Sequence, residues 1–187
     1  MGYSKQELAA FEGKTVDDLL GPGIRLLFVG INPGLWTAAT NTHFCHPSNR
    51  FYPALRAAGL IDWAIDTDVG MTTDQKRSLV QSGIGITNLV PRATVRASEL
   101  SASELMDGAD RVSAIVDQVE PVVVAIAGVT AYRTAFGRPA AGPGRQPEAL
   151  GGSELWVVPN PSGLNAHETV ESLASWYLEV ATAAGLL

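Results

Sequence analysis

A single cysteine, Cys45, and only three histidines leave this 187-residue chain poor in soft metal ligands. No internal disulfide is possible, and the thiolate sets of zinc ribbons and iron–sulfur clusters are excluded. His43, Cys45 and His46 crowd one stretch, but a fourth ligand at sensible spacing is missing, so no metal is expected. No apolar run approaches the roughly 18–20 residues that cross a bilayer, and the start MGYSKQELAAFEGK lacks the apolar core of a signal peptide. The expectation is a cytoplasmic protein without membrane contact.

Positive charge is scarce too: 13 Lys and Arg stand against 19 Asp and Glu, a net charge of −6. That balance argues against tight nonspecific attraction to phosphates, which ordinarily goes with a basic surface. Distribution tempers the objection. Acidic residues gather from Asp62 to Asp74 and from Glu99 to Asp117, whereas Arg92 and Arg96 flank one loop and Arg133, Arg138 and Arg145 fall in another. A local basic patch is compatible with an acidic whole.

What the chain does have is material for a core. Hydrophobic residues make up 46% and charged residues 17%, the balance of one globular domain over residues 1–187. Short apolar runs of β character, bounded by Gly, Pro or Asn, occur at Arg25 to Gly30, Ile84 to Val90, Val122 to Ala127 and Leu155 to Val158. Helical spacing falls between and after them, at Arg50 to Ala58, Thr73 to Ser82, Ser101 to Val119, Thr130 to Phe136 and Glu168 to Ala184. This alternation predicts an α/β fold, a mostly parallel sheet covered on both faces. Residues 1–24 read as an N-terminal helical extension, with its helix from Lys5 to Leu20. Gly137 to Gly152, rich in Gly, Pro and Ala, reads as a long surface loop.

In such sheets ligands bind beyond the carboxyl ends of the strands, which singles out two loops. The first opens Gly30-Ile-Asn-Pro-Gly34. Pro33 pushes Asn32 into an extended conformation, so its carboxamide sits rigidly at a strand mouth. There it can hold a water or grip a substrate edge, but it cannot accept a proton as a carboxylate would. An ordinary Asn-Pro-Gly turn is the plainer alternative. Phe44 offers either a face for a flat heterocycle or a core aromatic. The second loop runs Pro159-Asn-Pro-Ser-Gly-Leu-Asn-Ala-His167. Its free backbone N–H groups and the Ser162 hydroxyl can cradle a phosphate, and Leu164 either packs inward or serves as a wedge in a base stack.

Taken together and in order, Gly-Ile-Asn-Pro-Gly-Leu35, His46-Pro-Ser-Asn-Arg-Phe-Tyr52 and Asn160-Pro-Ser-Gly-Leu164 resemble the mismatch-specific uracil/thymine-DNA glycosylase family. The resemblance also takes in Gly85-Ile-Thr-Asn-Leu-Val90 and runs from about Arg25 to Ala181. It implies a three-layer α/β/α sandwich of the uracil-DNA-glycosylase type, no cofactor, and a target nucleotide turned out of DNA. By the same resemblance Asn32 aims the attacking water, Phe44 stacks on the flipped base, and Gly163 and Leu164 fill the gap left in the helix. Backbone N–H groups near Ile31 and Phe44 are expected to support the departing base, with Thr37 or Trp36 shaping the pocket. Asn160, Ser162 and Asn165 are expected on the DNA side.

Two departures stand out. Asn88 occupies the place of a family lysine, and its amide can pair with the carbonyl and N–H edge of uracil. Asn165 and Ala166 replace a serine and an arginine that read the opposite strand. The expected partner is DNA carrying uracil or another mismatched or damaged base, met by a monomer at the nucleoid. A binding module without chemistry on the same fold is the alternative, left open by an unionisable Asn32.

Overall fold

The computed structural model describes residues 2–187. Four strands lie parallel, β1 (Leu26–Gly30), β2 (Ile84–Asn88), β3 (Val123–Ala127) and β5 (Ser153–Val158), and β4 (Gly144–Leu150) joins antiparallel at one edge. The order across the sheet is β2-β1-β3-β5-β4. Every residue of β1, β2 and β3 is buried, as expected of strands with helices on both faces.

Alternation of side chains sorts the core into two layers. Leu26, Phe28, Ile84, Ile86, Val123 and Ala125 pack against α3 (Phe51–Ala57), α4 (Thr73–Gln81) and α7 (Val170–Ala183). Leu27, Val29, Val124, Ile126, Leu155 and Val157 face α5 (Ala102–Val119) and α6 (Val129–Ala135). The result is the three-layer α/β/α arrangement with a mostly parallel sheet. Helix starts follow local chemistry: Thr72 with Gln75 and Ser101 with Glu104 form reciprocal capping boxes that satisfy otherwise orphaned N–H groups.

The four apolar runs become strands and the five helical stretches become helices, to within a few residues. Three expectations need correction. Gly137 to Gly152 is not all loop, because Gly144–Leu150 pairs with β5. Pro147 and a scarcity of β-branched residues hid it, and an edge position with a register irregularity between Arg145 and Ala149 accommodates that proline. The loop after β1 carries a short helix, α2 (Leu35–Ala39).

Nor is Lys5 to Leu20 helical throughout. Helix α1 covers only Lys5–Ala9, after which the chain becomes an extended strap. Thr15 bridges Arg92, Leu19 exchanges backbone hydrogen bonds with Ile86, and Val16 packs with Ala38 and Ala93. Partners far away in sequence outweigh the local helical preference of this stretch.

Candidate active site

At the carboxyl end of β1, Gly30 lies in register with Asn88, the last residue of β2. Pairing continues past both strands: Leu89 N–H donates to Gly30 O, Val90 N–H to Ile31 O and Thr94 N–H to Pro33 O. The Asn-Pro-Gly turn is thereby zipped to residues 89–94, and Asn32 is fixed through its main chain.

Its side chain is fixed as well. Asn32 Nδ2 donates to Thr94 Oγ1 at 2.7 Å, to Arg92 O at 3.1 Å and to Pro33 O at 3.2 Å. The Thr94 hydroxyl donates its own proton to Arg96 O at 2.9 Å, so toward Asn32 its oxygen can only accept. All three partners therefore demand the amide nitrogen, and Oδ1 is the atom left to meet solvent or substrate. Thr94 is 1% exposed, which keeps water from competing for this arrangement.

Phe44 stands beside Gly30. A methyl group built on Gly30 would come within 3.0 Å of the Phe44 ring and would collide with Asn88 Oδ1, so backbone, ring and amide converge on one small space. Phe44 holds a left-handed backbone, φ 57°, which costs a non-glycine residue about 1–2 kcal/mol. Packing holds it there. Its ring stacks on Phe51 at 4.2 Å between centroids and 24° between planes, and Phe51 is wedged edge-on among Phe28, Tyr52 and Tyr177. One face of this strained aromatic is thus backed by the buried rings of the core, against which Phe44 is only partly buried. Among the described residues, no protein acceptor meets the N–H of Ile31 or of Phe44.

Asn88 is 5% exposed and pairs with a histidine. Its Nδ2 lies 2.9 Å from His43 Nδ1, while His43 Nε2 lies 2.9 Å from the Asp17 carbonyl oxygen. A carbonyl accepts only, so Nε2 carries the proton and Nδ1 accepts from Asn88. Burial pushes the His43 pKa below its ordinary value, and the Asp17 carbonyl and Asp18 charge oppose that without reversing it. The histidine is therefore neutral near pH 7. Thr87 and Arg111 bind Asp18 at 2.6 and 2.5 Å, and Arg111 also donates to Asn88 O at 2.8 Å, so the strap and β2 are tied together beneath the pocket.

The second loop is built by its own side chains. Asn160 Oδ1 accepts from Ser162 N–H, Ser162 Oγ from Leu164 N–H, and Asn165 Oδ1 from His167 N–H, while Asn165 Nδ2 donates to Asn160 O. The N–H groups of Ser162, Leu164, Asn165 and His167 are thus already satisfied, which narrows the expected phosphate cradle to the N–H groups of Gly163 and Ala166 and the Ser162 hydroxyl, whose proton remains available. The Asn165 amide closes the loop. Leu164 projects from the tip at 92% exposure and does not pack inward.

Arg50 joins the two loops. Its guanidinium donates to the carbonyls of Glu168, Ser162 and Asn165, and its own N–H donates to Pro161 O. Gly163 sits so tightly on Ser48 that a methyl group there would lie 2.5 Å from its hydroxyl. A chain of contacts runs from Gly30 to Phe44, on through His46 to Ser48, and from there to Gly163 beside Leu164, so the two loops are neighbours.

The remaining expected residues are more remote. Thr37 is buried in α2, where its carbonyl accepts from Thr42 N–H and the Thr40 hydroxyl. Trp36 donates from Nε1 to Thr67 O and packs edge-on against Tyr3. His43, Cys45 and His46 turn to separate partners, and no group of three His, Cys, Asp or Glu able to hold a metal occurs among the described residues. Of the arginines expected to form basic patches, Arg92, Arg138 and Arg145 are paired with Glu104, Glu148 and Glu154. A cavity of about 460 Å³ between residues 137–143 and β4 is lined by two of these paired arginines and lies apart from Asn32. No helix among the described residues is long and apolar enough to cross a membrane.

The residues that orient the others leave no mark in the local sequence. Thr94, His43, Arg50 and Asp17 act through contacts 26 to 118 residues away in the chain, apart from Arg50's place within the His-Pro-Ser-Asn-Arg motif.

Comparison with known proteins agrees with this geometry. The solution NMR structure of a "putative Uracil DNA glycosylase" from Methanosarcina acetivorans is similar with a TM-score of 0.62 over 93% of this chain and 98% of that one. Identity is 19%, so that likeness speaks for the fold. The profile of the uracil DNA glycosylase superfamily matches residues 18–183, which include both loops, the strands and the Asn88 position. The chain belongs to the uracil DNA glycosylase superfamily.

Proposed function

We propose that this protein is a monofunctional DNA glycosylase that hydrolyses the N-glycosidic bond of uracil, notably in G·U mismatches, and leaves an abasic site for base excision repair. The observation that carries the reading is the Asn32 amide, pinned through its nitrogen with its oxygen free, two residues from Gly30 where the Phe44 ring and the Asn88 amide converge.

In this reading the flipped uracil lies on Phe44. Asn88 Oδ1 accepts from uracil N3–H, and the second Nδ2 hydrogen donates to a uracil carbonyl. Asn32 Oδ1 accepts a hydrogen bond from water and aims its oxygen at C1′. As the C1′–N1 bond breaks, its electron pair moves into the uracil ring and its carbonyls, where the N–H groups of Ile31 and Phe44 stabilise the anion. Water adds its oxygen to C1′, and its released proton ends in solvent or on the departed base. Asn32 cannot take that proton, so positioning and electrostatics supply the catalysis. Leu164 fills the gap in the duplex.

Because flipping costs least at a mispair, a G·U wobble is favoured without any contact to the guanine. Asn88 in place of lysine extends the range to A·U pairs and single strands. Other deaminated or alkylated bases that leave readily belong to the same chemistry.

The deciding experiment incubates duplex and single-stranded DNA containing uracil with the protein, followed by hot alkali. Alkali-labile sites in wild type, lost by orders of magnitude in Asn32→Ala with DNA binding retained, are expected. An intact uracil strand under tight binding would instead establish a damage-binding module without chemistry.

A further inference from the structure

We infer that His43 is a positioning residue that sets which base the pocket reads, by fixing the direction of the Asn88 amide. This rests on the uracil reading above and adds to it the device that enforces the choice.

A primary amide can face a base edge in two ways. With its oxygen forward Asn88 matches uracil, whose N3 donates and whose O4 accepts. Turned by 180°, it matches cytosine, whose N3 accepts and whose exocyclic amine donates. Nothing in the amide itself selects between them; the neighbour must. His43 Nε2 is held as a donor by the Asp17 carbonyl at 2.9 Å, which leaves Nδ1 as an unprotonated acceptor 2.9 Å from Asn88 Nδ2. The turned amide would set Asn88 Oδ1 against the Nδ1 lone pair, with both groups buried and no water to intervene. The uracil orientation is therefore written in the imidazole tautomer, and through it in the strap residue Asp17.

Protonation of His43 would reverse the preference, because an Nδ1–H calls for the amide oxygen. The groups that face this histidine are the Asp17 carbonyl and the Asp18 carboxylate from the strap, Lys76 from α4, Arg111 from α5, and the Tyr52 hydroxyl of α3, which donates to the His43 carbonyl. Lys76 and Arg111 oppose the imidazolium, and Asp18 favours it. Burial outweighs them, so the neutral form prevails at pH 7 and is lost only as pH falls below 6.5.

The test measures kcat/KM for uracil excision from single-stranded DNA between pH 5 and pH 8. It compares wild type with His43→Asn, His43→Leu and Asn88→Ala, and adds ¹⁵N NMR of the His43 ring. Protonation of His43 should cost wild type roughly tenfold or more, seen as an acid limb that begins below pH 6.5. His43→Asn offers an amide oxygen near the Nδ1 position that cannot titrate, and its profile should be flat whatever its absolute rate. Asn88→Ala, with no amide to orient, should also lack the limb. The NMR spectrum should show protonated Nε2 and bare Nδ1 at pH 7. An acid limb that persists in both His43→Asn and Asn88→Ala, or the opposite tautomer in the spectrum, overturns the inference while leaving uracil excision intact. Absence of uracil excision by wild type at every pH overturns the uracil reading instead, and this inference with it.

Discussion

Thr94→Val is the substitution that isolates the orientation of Asn32 from its presence. Valine keeps the shape of threonine and deletes two hydrogen bonds, from Asn32 Nδ2 at 2.7 Å and to Arg96 O at 2.9 Å. Arg96 is exposed, so water replaces its lost partner at little cost. Asn32 keeps only the longer bonds to Arg92 O and Pro33 O. With threonine, a turned Asn32 amide meets opposing acceptors at Thr94, Arg92 and Pro33; with valine it meets two. A lost hydrogen bond of this kind is worth about 1–1.5 kcal/mol, which at about 1.4 kcal/mol per decade is close to tenfold in rate.

Single-turnover excision from a G·U duplex, with quenching into alkali, should therefore slow by about tenfold, and thermal unfolding should report a loss of about 1 kcal/mol. Thr94→Ser restores both bonds and should recover the rate. Full speed in Thr94→Val beside an inactive Asn32→Ala, or a serine variant as slow as the valine one, would refute the argument that the amide is steered from this side.

Three further outcomes follow from the same geometry. Gly30→Ala places a methyl group against the Phe44 ring and Asn88 Oδ1, and excision should fall by about 10- to 100-fold, the equivalent of 1–3 kcal/mol of overpacking, read in the same assay. Leu164→Ala, at a side chain 92% exposed, should change stability by less than about 0.5 kcal/mol, yet slow excision from duplex more than from single strands, which have no gap to fill. Stability should also fall with acid: the His43 pKa is depressed on folding, so below about 6.5 the unfolded chain takes up the proton first, and denaturant midpoints from pH 7 down to 5 should decline less in His43→Asn.

The buried strands and amphipathic helices were legible because periodicity and apolar runs reflect burial directly. β4 was not, since an edge strand with Pro147 lacks that signature. The strap was not, since Thr15 and Leu19 owe their extended form to Arg92 and Ile86. The site divides in the same way. Asn32, Phe44 and Leu164 stand in local motifs, whereas Thr94 reaches Asn32 across 62 residues. His43 shows the limit most plainly: its sequence context hints at metal, but both ring nitrogens are engaged by an amide and a carbonyl that only the fold brings near.

The strap has a practical corollary for anyone trimming this protein. The superfamily match opens at Asp18, and a chain cut there would still hold the sheet and every motif residue. It would lack Asp17, whose carbonyl holds His43 against Asn88 and whose carboxylate and N–H grip Asn41. Such a fragment would also forfeit Thr15 and Val16, which brace Arg92 and Ala93 next to Asn32, so trimming to the matched boundary strips scaffolding from both amides at once.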